Sequence, residues 1–246
     1  MTTTLQARAT GGLWVVLDGA RLHVDPGPGA LAHVRGALAL DPTRLDAVVL
    51  THKHLDHSGD VNAMTEAMTE GGTRRRGMIL APRDCYDDDP VILRYVRDYA
   101  ATTTVLEAGG RYPIGDMMLE APLRLRHPVE TYGLRLVGRR YTVGLISCTG
   151  YFRELEETFR ADLLILNVVF RNPRDEIHLA VPDAGRLIAA IRPRLAVITH
   201  FGLTMLRGRP WELAEALSQE TGVRVLAARD RWRLGLDAEL GSGPTS

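Results

Sequence analysis

The sequence predicts an α/β fold in which two β-sheets pack face to face with helices on their outer sides. Two observations lead there. Strand-like apolar runs alternate with helical stretches in both halves of the chain. The middle, from about 103 to 147, is instead a succession of short strand candidates.

The elements follow in order. "GLWVVLDGARLHVDPGPG" (12–29) reads as two short strands joined at Asp18-Gly19, a hairpin dipeptide, running into a turn rich in Gly and Pro. "ALAHVRGALAL" (30–40) is helical, and "LDAVVL" (45–50) is a continuous apolar run that suits a buried strand. Asp60 as N-cap and Gly71 as stop bracket a helix, "GMILAP" is a strand, and 89–100 reads as helical. The central segments "TTVLEA", "RYPIG", "DMMLEAPLRL", "YGLRLVG" and "RRYTVGLIS" form a meander-like region. Helix 153–159, strand 161–170, helix 183–191, strand 195–200, helix 211–221 and strand 223–228 complete the pattern.

Composition narrows the class. The 246 residues are 45% hydrophobic and 24% charged, as in a globular protein, and they suit one domain spanning 1–246. The formal net charge is zero, which implies no broad attraction to nucleic acid. "RRR" (74–76) and "DDD" (87–89) read as solvated loop charges. The opening "MTTTLQARATGG" lacks the apolar centre of a signal peptide, and no apolar run approaches the roughly 18 residues of a membrane span. Two cysteines, Cys85 and Cys148, make no disulfide framework, so a cytoplasmic protein is expected.

"THKHLDHSGD" (51–60) concentrates three of the eight histidines, with an aspartate, at the end of the 45–50 strand. In an extended or looping segment His52 and His54 leave on the same side. Two imidazoles on one side begin a tetrahedral metal site, which in enzymes takes three protein ligands and a water. Asp56 and His57 are too crowded to join that ion easily but can serve a second ion beside it.

"THKHLDH" resembles the signature of the metallo-β-lactamase superfamily, and four further segments resemble that family's motifs in order. They are "HVDPGPG" (23–29), "RHPVETYGLRL" (126–136), "VGLISCTGY" (143–151) and "LAVITHFG" (195–202). The spacing fits throughout: 73 residues from His54 to His127, 21 on to Cys148 and 52 on to His200. The resemblance implies the four-layer αββα sandwich with metals at one sheet edge. It implies that His52, His54 and His127 hold one ion, and that Asp56, His57 and His200 hold another. Asp25 supports the metal loop by hydrogen bonding. Cys148 replaces the carboxylate that normally bridges the two ions. A thiolate is softer than a carboxylate, so zinc is expected ahead of iron or manganese, with two ions as the first reading and one as the alternative.

The implied activity is hydrolysis of an ester-like or phosphodiester bond in a small-molecule substrate by a metal-activated hydroxide. Asp56 orients the nucleophile, and His178 protonates the leaving group. A phosphodiesterase of the tRNA-processing type is a rival within the family. Asn167 stands where those nucleases tend to carry a glutamate, which turns the reading away from nucleic acid. The rival outside hydrolysis is a metal-binding or redox-sensing protein in which Cys148 toggles between ligand and oxidised thiol. His23 and His33 read as structural, and Thr131, Tyr132 and Thr149 as packing. Arg207 and Arg209 lie where they could meet an anionic substrate. Oligomeric state is left open, a homodimer included.

Overall fold

The computed structural model describes residues 8–10, 12–87 and 89–241. Most of the opening stretch and Asp88 of the acidic run lie outside the described residues. In the first sheet, β1 (Leu13–Leu17) and β2 (Ala20–Val24) are an antiparallel hairpin. Its turn residues Asp18 and Gly19 both have positive φ, 48° and 85°, the backbone that a two-residue hairpin turn with matching twist requires. β3 (Ala47–Val49), β4 (Met78–Ala81) and β5 (Thr102–Val105) join β2 in parallel.

The second sheet begins as an antiparallel meander: β6 (Gly110–Ile114), β7 (Met117–Arg124), β8 (Tyr132–Val137) and β9 (Thr142–Ile146). β10 (Leu163–Phe170) pairs in parallel with β9, and the two-residue β11 (Leu179–Ala180) pairs with the end of β10. β12 (Leu195–Thr199) and β13 (Val225–Ala227) extend the parallel part.

The helices are α1 (Ala30–Ala32, running into a π-turn at His33–Ala37), α2 (Leu55–Ser58), α3 (Val61–Met68), α4 (Arg94–Arg97), α5 (Glu154–Thr158), α6 (Val181–Ile191), α7 (Leu203–Arg207), α8 (Pro210–Thr221) and α9 (Leu236–Leu240). Among the described residues, no helix is long and apolar enough to cross a membrane.

The alternation of each buried strand assigns its two faces to different layers. On β10, Leu163 and Ile165 enter the core between the sheets, with Val49 and Leu119. Leu164, Leu166 and Val168 face outward and pack with Leu187 and Ile188 of α6 and Leu217 of α8. On β3, Ala47 and Val49 face the inter-sheet core, and Val48 packs with Val61, Met64 and Met68 of α3. The result is four layers, helix–sheet–sheet–helix. Each fully buried large aliphatic side chain contributes about 1.5–3 kcal/mol, so strands apolar on both faces hold the sandwich together.

Three local expectations change. The stretch 89–100 is helical only at Arg94–Arg97. The Asn62 side chain accepts from Leu93 N at 2.9 Å and donates to Val91 O at 2.9 Å, and so takes the backbone groups a helix would have used. The segment at 102–105 leaves the meander and pairs with β4 in the first sheet. Asp60 does not cap α3 with its side chain; its carboxylate accepts from Leu31 N at 3.0 Å, tying α1 to the start of α3.

β2, β3, β9, β10 and β12 all end at one edge of the sandwich, where the crevice of a parallel sheet forms. Gly27 makes the approach at this edge possible: a Cβ there would sit 2.1 Å from Asp56 O and 2.3 Å from Thr10 O.

Candidate metal centre

The residues named from sequence arrive from five places in the chain. His52 and His54 follow β3, Asp56 and His57 lie on α2, and His127 is in the connection between β7 and β8. Cys148 follows β9, and His200 follows β12. Their ligand atoms fall into three overlapping trios: His52, His54 and His127; Asp56, His57 and His200; and His52, His57 and Cys148. His127 Nε2 is 3.1 Å from His54 Nδ1, and His57 Nε2 is 2.9 Å from His200 Nε2. Asp56 Oδ2 is 3.4 Å from His200 Nε2 and 3.7 Å from His57 Nε2. Cys148 Sγ is 3.6 Å from His57 Nε2 and 3.8 Å from His200 Nε2.

Backbone strain marks the same edge. His200 and Asp25 both adopt positive φ, 60° and 55°. Such a conformation costs a non-glycine residue about 1–3 kcal/mol and persists only where the surroundings over-determine it.

Hydrogen bonds fix which nitrogen of each ring faces inward. Asp25 is the anchor: Thr51 N donates to its Oδ1 at 2.7 Å and Thr51 Oγ1 to its Oδ2 at 2.7 Å. His57 Nδ1 also donates to Asp25 Oδ2, at 2.9 Å. The Thr51 hydroxyl proton is thereby committed, so Thr51 Oγ1 accepts from His52 Nδ1 at 3.0 Å and from Ser147 Oγ at 2.9 Å. His127 Nδ1 donates to the Ile177 carbonyl at 3.2 Å. These bonds leave Nε2 of His52, His57 and His127 as lone-pair donors aimed at the common space, the arrangement that orients metal-bound imidazoles. His52 Nε2 is fully buried with no hydrogen-bond partner among the described residues. A buried, unpartnered imidazole nitrogen costs about 1–3 kcal/mol unless a cation meets it, so the donor set fits a metal.

Charge points the same way. Burial opposes ionisation of the Cys148 thiol, but the His200 and His57 rings beside it hold it well below the usual thiol range. Burial likewise works against protonation of His57, and Cys148 and Asp25 outweigh it, so its pKa is raised. His200 is raised to about 9, with Cys148 and Asp56 overcoming its desolvation. Desolvation, then the neighbouring imidazoles, drives His52 down. Protons on these rings and a divalent cation are alternative ways of balancing one thiolate and its carboxylates, so cation binding expels protons. Cys85 shows the contrast. It is fully buried on the turn Arg83–Cys85, where burial and Asp84 push its thiol up, and it lies apart from this cluster.

The other named residues are placed as follows. His178 lies beside the cluster, its ring 5.3 Å from that of His127, and its Nδ1 is 3.1 Å from Asp175 Oδ2. Asn167 donates to Cys148 Sγ at 3.6 Å. Thr149 does more than pack: its Oγ1 accepts from Arg126 N at 3.1 Å and so holds the backbone next to His127. Tyr132 bonds Glu130 at 2.7 Å, and Thr131 bonds Val129 O at 2.9 Å. Arg209 pairs with Glu212 at 2.7 Å on α8. His23 is buried edge-on to Trp14 at 5.9 Å. Sequence reasoning did not single out Thr51, Ser147, Asp175 or the Ile177 carbonyl. The i,i+3 spacing of Asp175 and His178 was the one local signal available.

A family model described as Beta-lactamase superfamily domain matches residues 20–201, a span that contains every residue of the cluster. An uncharacterized protein of Methanocaldococcus jannaschii is 32% identical over 249 residues, covering 98% of this chain and 91% of that protein. The Bacillus subtilis protein named "Probable metallo-hydrolase YhfI" is 27% identical over 205 residues, 78% of this chain and 80% of its own. In its crystal structure, a metallo-beta-lactamase fold protein, it superposes with a TM-score of 0.72 at 20% identity, covering 86% of this chain and 85% of that one. A diphosphatase from the PhnP family superposes with a TM-score of 0.68 at 16% identity, covering 90% and 81%. The chain belongs to the beta-lactamase superfamily and has the metallo-β-lactamase fold. Within it, this protein is a metal-dependent hydrolase.

Proposed function

We propose that the protein is a dinuclear zinc hydrolase acting on an ester-like or phosphodiester bond of a small molecule. The observation that carries this reading is the pair of facing trios, His52–His54–His127 and Asp56–His57–His200, with Cys148 Sγ against the second. Zinc held there would supply Lewis acidity and, by lowering the pKa of water to about 7, a hydroxide nucleophile at neutral pH. The chain's own groups do the rest. Asp25 and Thr51 keep the His57 and His52 lone pairs pointed inward. Asp56, whose Oδ2 lies against His57 and His200, would orient the nucleophile. Asp175 accepts from His178 Nδ1 and so supports the doubly protonated ring, which gives its Nε2 proton to the leaving group.

The phosphodiester branch is favoured by this His178–Asp175 pair beside the first trio. The test is a panel of bis-nitrophenyl phosphate, nitrophenyl esters, lactones and thioesters with the zinc-loaded chain. Turnover on one class, lost on chelation and restored by zinc, is expected. No turnover on any member, with metal released reversibly by peroxide, favours the redox-sensing alternative on Cys148.

Cys148 also sets metal choice. Cys148→Asp is expected to keep two ions per chain while shifting preference from zinc toward manganese, since a carboxylate is harder than a thiolate. Metal analysis after growth or dialysis in mixed ions checks it. Unchanged content and selectivity would remove Cys148 from the ligand set.

A further inference from the structure

A cavity of about 530 Å³ opens along the β1 and β13 edges of the two sheets, enters the space between them and reaches the second trio. This is within the range of about 300–1,000 Å³ typical of small-molecule sites. Its walls are inward-facing strand residues: Leu163, Ile165 and Asn167 of β10, Val197 and Thr199 of β12, and Val15 of β1 on the opposite sheet. Asp56, His57 and His200 line it at the metal edge, and Trp14, Ala228 and Trp232 line it on the side of the edge strands β1 and β13. Leu163 to Asn167 spans four residues of extended strand, or about 13 Å at about 3.3 Å per residue. Packed sheets lie only about 10 Å apart. The walls between the sheets are apolar; His57 and Asn167, both over nine-tenths buried, are the polar groups beside the metal trio, and Arg8, Asp230 and Arg233 are charged groups elsewhere on the lining.

An amphiphile satisfies both the metal-facing part and the apolar part between the sheets. A polar head meets the metal trio, and an unbranched hydrocarbon chain fills the slot between the sheets. We propose that this cavity is the acyl- or alkyl-chain subsite of the enzyme, which makes the substrate an amphiphile whose hydrolysable head carries a hydrocarbon tail. The proposal rests on the hydrolase reading above and adds the tail to it. Loading the slot needs no new covalent step; it removes apolar surface of the chain from water, and each buried methylene strengthens binding by up to about fourfold.

The experiment is calorimetric titration of the full, zinc-loaded chain with straight-chain alkylphosphonates from ethyl to decyl, alongside hydrolysis of nitrophenyl esters from acetate to decanoate. The expected result is an affinity that climbs with chain length, by up to about fourfold per methylene until the slot is full. Ala228→Trp, half-buried just after β13, or Val15→Phe, from the facing sheet, should flatten that climb. Two substitutions on different sheets keep the test available if one of them fails to fold. Equal affinity for ethyl and decyl heads, or a climb unaltered in both variants, overturns the subsite. A climb in binding with no ester or phosphodiester cleaved supports the subsite and sinks the hydrolase reading instead. Cleavage without any chain-length trend in binding or rate does the reverse.

Discussion

Replacing His54 by alanine is expected to leave a folded chain that binds one ion fewer and hydrolyses substrate at least about 100-fold more slowly. His54 sits in the loop between β3 and α2 and makes no side-chain cap to that helix. Its Nδ1 faces His127 Nε2 at 3.1 Å, and its ring stands 4.9 Å from that of His52. The ring is half-buried and outside the apolar clusters, so its loss should cost only about 1 kcal/mol of stability, the ordinary effect of a point substitution. Its contribution to metal holding is of another order. Altering even the hydrogen-bonding partners of metal ligands costs about 10–100-fold in affinity or activity, and removing a ligand should exceed that. Metal analysis, a thermal melt and the hydrolysis rate measured together decide it. Full ion content and full rate in the alanine variant would exclude the first trio as a metal site.

Much of this was legible in the sequence. The strands that build the metal edge are continuous apolar runs, and such runs announce themselves because both faces are buried. β3, β10 and β12 fall within the predicted stretches for that reason. The histidine cluster and the later motifs were legible because ligation restricts residue type at each position, and Asp25 came through the same motif pattern. What was not legible depends on partners far away in the chain. The 89–100 stretch has helical periodicity, but Asn62, some thirty residues earlier, binds its backbone. β5 looks like its meander neighbours, and only the pairing of Met78–Ala81 with Thr102–Val105 assigns it to the other sheet. Ser147 shares a hydrogen bond with Thr51 across 96 residues of sequence, which no local pattern encodes. The inter-sheet cavity is a property of how two sheets fail to fill the space between them, and it has no motif.

Asp25→Asn is expected to weaken the second ion more than the first, and Asp25→Ala to destabilise the whole protein by several kcal/mol. The carboxylate accepts three hydrogen bonds at a residue only 7% exposed. Alanine leaves those donors buried and unpaired, at about 1–3 kcal/mol each, and places a side chain without local hydrogen bonding at φ 55°, where Asp and Asn are better tolerated. Asparagine keeps the shape and the backbone tolerance but has one oxygen. If that oxygen keeps the bond from Thr51 N, the amide nitrogen faces Thr51 Oγ1 and His57 Nδ1 and must donate. His57 Nδ1 then becomes the acceptor, the proton moves to Nε2, and the lone pair that pointed at Asp56 and His200 is gone. His54 and His127 are not wired through Asp25, and His52 is wired to it only at one remove through Thr51, so the first trio should lose less than the second. Stepwise zinc competition titrations separate the two affinities, with a loss of about 10–100-fold expected at the weakened site, and denaturant unfolding separates the alanine variant. Wild-type affinity for both ions in the asparagine variant would mean that the Asp25–His57 bond does not set the tautomer at this centre.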